Sequence, residues 1–94
     1  MLPISPFTYE IRAIEPYPEP GVILATADVA IRFGTWEIHT AGWRVLRTEE
    51  HGLFVAPPSH HVPGKGRRKS VGLPRQTESA IRADILRQFT AEGW

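Results

Sequence analysis

This 94-residue chain contains four cationic side chains within five residues, which is a pattern suited to binding anions. They are Lys65, Arg67, Arg68 and Lys69. Ammonium and guanidinium groups on a glycine-containing segment can contact several phosphates of a nucleic acid, and such contacts supply affinity and salt dependence rather than base choice. We therefore expect phosphate binding here. The alternative is a solvated loop whose charges only keep the protein soluble.

Positive charge is concentrated in the middle of the chain, although the net charge is only +1. Residues 52–76 contain five cations and no acid, whereas Asp and Glu outnumber Lys and Arg on either side. An anionic partner is therefore attracted to this segment. Arg75 and Arg82, near the expected start of a C-terminal helix, are secondary candidates for nucleic-acid contact.

The neighbouring His60 and His61 are candidates for pH-dependent binding of the same anion. Imidazoles are mostly neutral at pH 7 and gain a charge below about pH 6.5. A metal site is not expected, because adjacent side chains need not converge and no Cys or nearby acid completes a zinc set. The chain contains no Cys, which also excludes disulfides and thiolate nucleophiles.

No catalytic set is recognisable, so we expect a protein that is not an enzyme and needs no cofactor. Residues 63–70 superficially resemble a P-loop, but that motif has Lys-Ser or Lys-Thr directly after its second glycine. Here Arg68 precedes Lys69 and Ser70. Ser59 lies beside His60, but nothing in the sequence completes a triad with them.

Apolar alternation predicts strands over residues 7–14, 22–33 and 36–46, and a short apolar run predicts a fourth over 53–56. The alternation changes phase at Ala41-Gly42, which predicts a β-bulge. Residues 59–75 lack periodicity and are expected to form a basic loop, with a brief strand near Ser70-Val71 as one alternative. Residues 1–6 are expected to be an N-terminal arm.

A helix is predicted over residues 77–92, with Thr77 as its N-cap. Its apolar stripe consists of Ile81, Ile85, Leu86 and Phe89. The predicted fold is α+β: a four-stranded antiparallel β-sheet followed by one C-terminal amphipathic helix, in a single domain over 1–94.

A chain this small, without disulfides, often gains stability by pairing, so we expect a homodimer, with strand two or three as an available edge. Trp36 and Trp43 are expected in the core or an interface, with stacking on bases as the alternative. Trp94 is undecided. No signal peptide or long apolar segment is evident, which predicts a cytoplasmic protein without a membrane partner.

Residues 52–59, Gly-Leu-Phe-Val-Ala-Pro-Pro-Ser, resemble the signature of the SpoVG family of bacterial septation and sporulation regulators. Residues 25–29, residues 43–46 and the late helix are similar to further family segments, so the resemblance extends over about residues 7–90. It implies a dimer that binds DNA, and sometimes RNA, through the loop after Pro-Ser and the adjoining helix. Arg68 falls near a family arginine, but His60 and His61 replace the family's Lys-Arg pair. The alternative is a protein-interaction module of cell division with an incidental basic loop.

The histidine pair leads to a first prediction. Nucleic-acid binding should strengthen as the pH falls from about 7.5 to about 6, because protonation adds charge to the basic segment. Fluorescence anisotropy with labelled DNA measures this for the wild type and for the His60→Ala/His61→Ala variant. An identical pH dependence in the two proteins would contradict it.

Overall fold

The computed structural model describes residues 7–93, which form six strands and one helix. These elements are β1 (Phe7–Pro16), β2 (Ile23–Phe33), β3 (Trp36–Thr48), β4 (Gly52–Ala56), β5 (Ser59–Val62), β6 (Gly66–Lys69) and α1 (Arg75–Ala91). The predicted α+β fold is confirmed: β1 to β4 form the antiparallel sheet, and a separate two-stranded sheet, β5–β6, precedes α1. The expected arm over residues 1–6, and Trp94, lie outside the described residues.

The four-stranded sheet has the order β1-β2-β3-β4, so each strand pairs with its neighbours in sequence. Short connections return the chain beside the strand it has just left, and this places the first and last strands at the edges. The expectation that strand two or three offers a free edge is therefore wrong. Both are central, and β1 and β4 are the edge strands of this sheet.

The predicted β-bulge is confirmed in β3. Ala27 pairs with Trp43 and Val29 with Thr40, so three steps along β3 match two along β2. Gly42 has a φ of 90°, which a residue without Cβ adopts at little cost. The extra residue shifts the alternation, so that even positions before the bulge and odd positions after it lie on the same face of the sheet.

Trp43 is the largest fully buried side chain and supports the prediction of a core role. Its indole N–H donates to Thr40 Oγ1 at 2.8 Å, and the Thr40 hydroxyl donates to the Val29 carbonyl at 2.9 Å. The polar atoms of the buried Trp43 and Thr40 side chains are thereby satisfied inside the core. Trp36 differs, because 73% of it is exposed in this chain.

The helix α1 begins at Arg75, two residues earlier than predicted, because Pro74, with an extended ψ of 141°, is its N-cap residue. Thr77 is buried within the first turn instead of capping it. The buried stripe contains Ile81, Ile85 and Phe89, which pack on the sheet. No helix within residues 7–93 has the length and apolar character needed to cross a membrane.

A polar contact also holds α1 against β1. The Tyr9 hydroxyl donates to the carboxylate of Asp84, which in turn pairs with Arg87. Burial, followed by the Asp84 hydrogen bond and charge, raises the pKa of Tyr9 from 10.0 to about 12. The protonated phenol is therefore the form that joins the helix to the sheet edge at neutral pH.

Thr40→Val should destabilise the protein by about 2 kcal/mol, because it leaves the buried Trp43 N–H without an acceptor. Urea unfolding followed by circular dichroism gives the free energy of unfolding. In a Trp43→Phe background the same substitution should cost clearly less, since no indole N–H remains to be satisfied. If Thr40→Val lowered the free energy of unfolding equally in the two backgrounds, the hydrogen bond would not contribute to stability.

Candidate nucleic-acid interface

Residues 59–69 form the β5–β6 hairpin, whereas the sequence predicted a loop. The Lys65 N–H donates to the Val62 carbonyl at 3.0 Å, which closes a turn with Pro63 and Gly64 at its centre. Proline presets φ at the first central position, and Gly64 adopts a φ of 77° at the second, as a type II turn requires. Alternation missed the hairpin because most of its side chains are exposed, but the Pro-Gly dipeptide is a recognisable turn signal.

The hairpin register decides which cations share a face. The cross-strand pairs are Ser59 with Lys69, His60 with Arg68, and His61 with Arg67. Because successive side chains of a strand alternate, Arg67 and Lys69 lie on one face and Arg68 on the other. Lys65 lies in the turn. The four cations are therefore spread around the hairpin, and the brief strand considered near Ser70-Val71 lies instead at β6.

Three of the four cations have no carboxylate partner among residues 7–93: Lys65, Arg67 and Arg68. All three are exposed. The Arg68 guanidinium donates to the Arg67 carbonyl, a neutral group, at 3.0 Å. An external anion could therefore bind these three charges without breaking an existing ion pair.

Two arginines elsewhere on the sheet surface, unlike those of the hairpin, pair with carboxylates. Arg12 and Arg32 both donate to the Glu37 carboxylate, at 3.3 and 3.1 Å, and Arg32 also reaches Glu10 at 3.2 Å. Their charges are compensated within the fold. The hairpin differs in that it brings together three exposed cations without such partners.

Lys69 has a different environment from the other hairpin cations. Its ammonium group lies 2.9 and 3.1 Å from the two carboxylate oxygens of Glu78 in the first turn of α1. The Glu78 side chain is only 13% exposed. This pair neutralises the Lys69 charge and joins the hairpin to the helix.

The two secondary candidates, Arg75 and Arg82, also differ in how accessible their charges are. Arg82 is half-buried, and its Nε donates to the Val55 carbonyl of β4 at 2.7 Å, which fixes α1 against the sheet edge. Arg75 is exposed at the first residue of α1. Of these two predicted residues, Arg75 has the more accessible charge.

His60 and His61 are both exposed and lie on opposite faces of β5. His60 Nδ1 is 3.0 Å from Ser70 Oγ, so it contributes to closing the base of the hairpin. Within the described part of the chain, no group of three His, Cys, Asp or Glu residues could hold a metal ion.

Arg44 is a site residue that the sequence did not indicate. Its Nη2 donates to the Pro57 carbonyl at 3.2 Å and to Ser59 Oγ at 3.1 Å, and Arg67 Nε donates to the same Ser59 oxygen at 3.2 Å. Burial, and then the Arg67 charge, lower the pKa of Arg44. Arg44 and Ser59 are 15 residues apart, so no local pattern could have paired them.

A second surface feature is apolar. We define the apolar patch as Phe33, Trp36 and Ile38, at the turn end of the β2–β3 hairpin, with exposures of 47%, 73% and 60%. The Phe33 ring also contacts Phe7 at a centroid distance of 5.0 Å. Three adjoining large apolar side chains with this exposure are typical of an interaction surface.

No family model matches the chain, and no curated protein sequence matches it. The features that bear on function are the hairpin, Arg44 and the apolar patch.

Proposed function

We propose that this protein is a bacterial nucleic-acid-binding regulator, related to the SpoVG septation and sporulation regulators, that contacts phosphates through the β5–β6 hairpin. The observation that carries the proposal is the exposure of Lys65, Arg67 and Arg68 without carboxylate partners within residues 7–93. Such cations gain free energy from neutralising phosphates and releasing the counterions bound to them.

The shape of the hairpin favours a duplex as one ligand. The major groove of B-DNA admits a two-stranded β-ribbon, and a ribbon in that groove faces phosphates on both sides. Arg67 and Arg68 project from opposite faces of the hairpin, and Lys65 lies at its turn. RNA, or a single strand lying along one face, is the other ligand that the proposal includes.

The remaining predicted residues have supporting roles in this proposal. Lys69 and Arg82 hold the hairpin and helix in position through Glu78 and the Val55 carbonyl. Arg75 adds a secondary charge at the start of α1. His60 and His61 add charge when protonated. In this proposal the protein is cytoplasmic, and it acts by binding nucleic acid and not by catalysis.

We propose that the regulator is a homodimer that uses the apolar patch as its interface. A second copy seated there would bury Trp36 and Ile38, which are otherwise more than half exposed. Two hairpins on one dimer would increase the number of phosphate contacts. Burial of apolar area is the favourable contribution to such an association.

A protein-interaction module is the second candidate function, and the apolar patch is the observation that favours it. In that case the patch binds a partner of the division machinery and the hairpin charges are incidental. Salt separates the two functions, because phosphate contacts weaken steeply as salt rises while apolar contacts are comparatively tolerant of it.

Single Ala substitutions of Lys65, Arg67 and Arg68 should each weaken binding to duplex DNA. The slope of log K against log salt should flatten by about 0.9 for each lost phosphate contact. Titration of labelled duplex DNA, single-stranded DNA and RNA at several salt concentrations measures both quantities.

Arg47→Ala is the matched control, since it removes one exposed arginine from the far end of β3. It should leave affinity and slope nearly unchanged, and Lys69→Ala should have a smaller effect than the hairpin variants because Glu78 already pairs with Lys69. No wild-type binding at low salt, or equal losses in Arg47→Ala, would overturn the proposed function.

Trp36→Glu should convert a dimer into a monomer at micromolar concentration, because it places a charge in the proposed apolar interface. Sedimentation velocity measures the change. Thr35→Glu in the adjacent exposed turn is the control, because it adds the same charge but keeps the indole. A dimer that survives Trp36→Glu would exclude the patch as the interface, and a monomeric wild type would exclude the dimer.

A further inference from the structure

We infer that Arg44, Ser59 and Arg67 form a site for a single phosphate group at the base of the hairpin. The inference rests on the proposed function and adds to it a defined phosphate position, with one residue, Arg44, from outside the basic segment. It also differs in kind from diffuse attraction by exposed cations, because it depends on hydrogen-bond geometry.

The Ser59 hydroxyl is the centre of the arrangement. Its oxygen accepts N–H groups from Arg44 at 3.1 Å and from Arg67 at 3.2 Å. A serine oxygen has two lone pairs for accepting and one O–H for donating. Both lone pairs are occupied by guanidinium donors, so the O–H is left to point away from them toward a third group, which must be an acceptor.

The charges at this point call for an anion. Arg44 and Arg67 bring two positive groups to one oxygen, and no carboxylate within residues 7–93 forms an ion pair with either. Burial of Arg44 and the nearby Arg67 charge lower the pKa of Arg44, because both make its cationic form less favourable than it is in water. An anion between the two guanidiniums would offset the repulsion between them.

The fold holds Arg44 in place before any ligand arrives. Its Nη2 is shared between the Pro57 carbonyl and Ser59, and its Nε is buried without a hydrogen-bond partner within residues 7–93. The donors left for phosphate oxygens are Nη1 of Arg44 and the two Nη groups of Arg67. The Ser59 O–H suits a further phosphate oxygen.

The position of the site gives it a role distinct from that of the hairpin turn. Arg44 lies on the sheet face opposite α1, because its neighbours Trp43 and Val45 are buried in the core. A phosphate held against this rigid strand would set the register of a nucleic acid on the protein, whereas Lys65 at the turn would add affinity alone.

A free phosphate and a nucleic-acid phosphodiester share this chemistry, and a titration distinguishes them. We would follow the arginine Nε–Hε resonances of the wild type by NMR while adding inorganic phosphate, and in a second series a short single-stranded DNA. The Arg44 and Arg67 signals should shift in both series, at much lower concentration with the DNA. The Arg47 signal should stay in place.

Affinity measurements with variants complete the test. Arg44→Lys keeps the charge but loses the planar set of guanidinium N–H donors. It should weaken DNA binding about tenfold, because one charged hydrogen bond is lost. Arg47→Lys, on the same strand, should change affinity less than twofold. Ser59→Ala, which removes the hydroxyl without touching either charge, should also weaken binding and covers the case in which Arg44→Lys fails to fold.

The outcomes separate this inference from the proposed function. If hairpin variants weaken DNA binding but Arg44→Lys and Ser59→Ala match Arg47→Lys, the phosphate site is wrong and the proposed function stands. If inorganic phosphate shifts Arg44 and Arg67 while no nucleic acid binds, the site stands and the proposed function is wrong. An Arg44 signal that responds to neither ligand overturns the site.

Discussion

The hydrogen bond from Trp43 to Thr40 spans the bulge in β3, and the bond from Thr40 to Val29 joins the bulge to β2. The bulge determines which face of the sheet each later side chain of β3 occupies. Alternation without the bulge would turn Arg44 toward the core. A guanidinium there would lose its hydration without a partner, which costs several kcal/mol. The bulge instead buries Trp43 and leaves Arg44 facing Ser59.

The hairpin depends on the sheet and helix in a similar way. Two strands of four residues are too short to be stable alone. Their base is held by the Ser70 N–H, which donates to the Pro58 carbonyl at 2.9 Å, and by the pair of Lys69 with Glu78. Part of the basic segment is therefore used for anchoring, and the cations left over are those with the freedom to meet a ligand.

Elements that bury one face leave a periodic pattern in this sequence, whereas exposed elements do not. The strands of the main sheet and the helix stripe of Ile81, Ile85 and Phe89 were predicted, because each element buries one face and so repeats with its own period. The β5–β6 hairpin was missed because most of its side chains are exposed. The contacts of Lys69 with Glu78 and of Arg82 with Val55 were not predicted either, since charge alone does not reveal a partner on another element.

The α+β architecture, the place of the bulge at Gly42 and the segment where positive charge accumulates can all be predicted from the order of the residues. Those properties follow from local periodicity, backbone freedom and composition. The pairing of Lys69, the opposite faces of Arg67 and Arg68, and the contact of Arg44 with Ser59 became visible in the folded chain. Ion pairs and hydrogen bonds act over a few ångströms, and which distant residues come that close depends on how the whole chain packs.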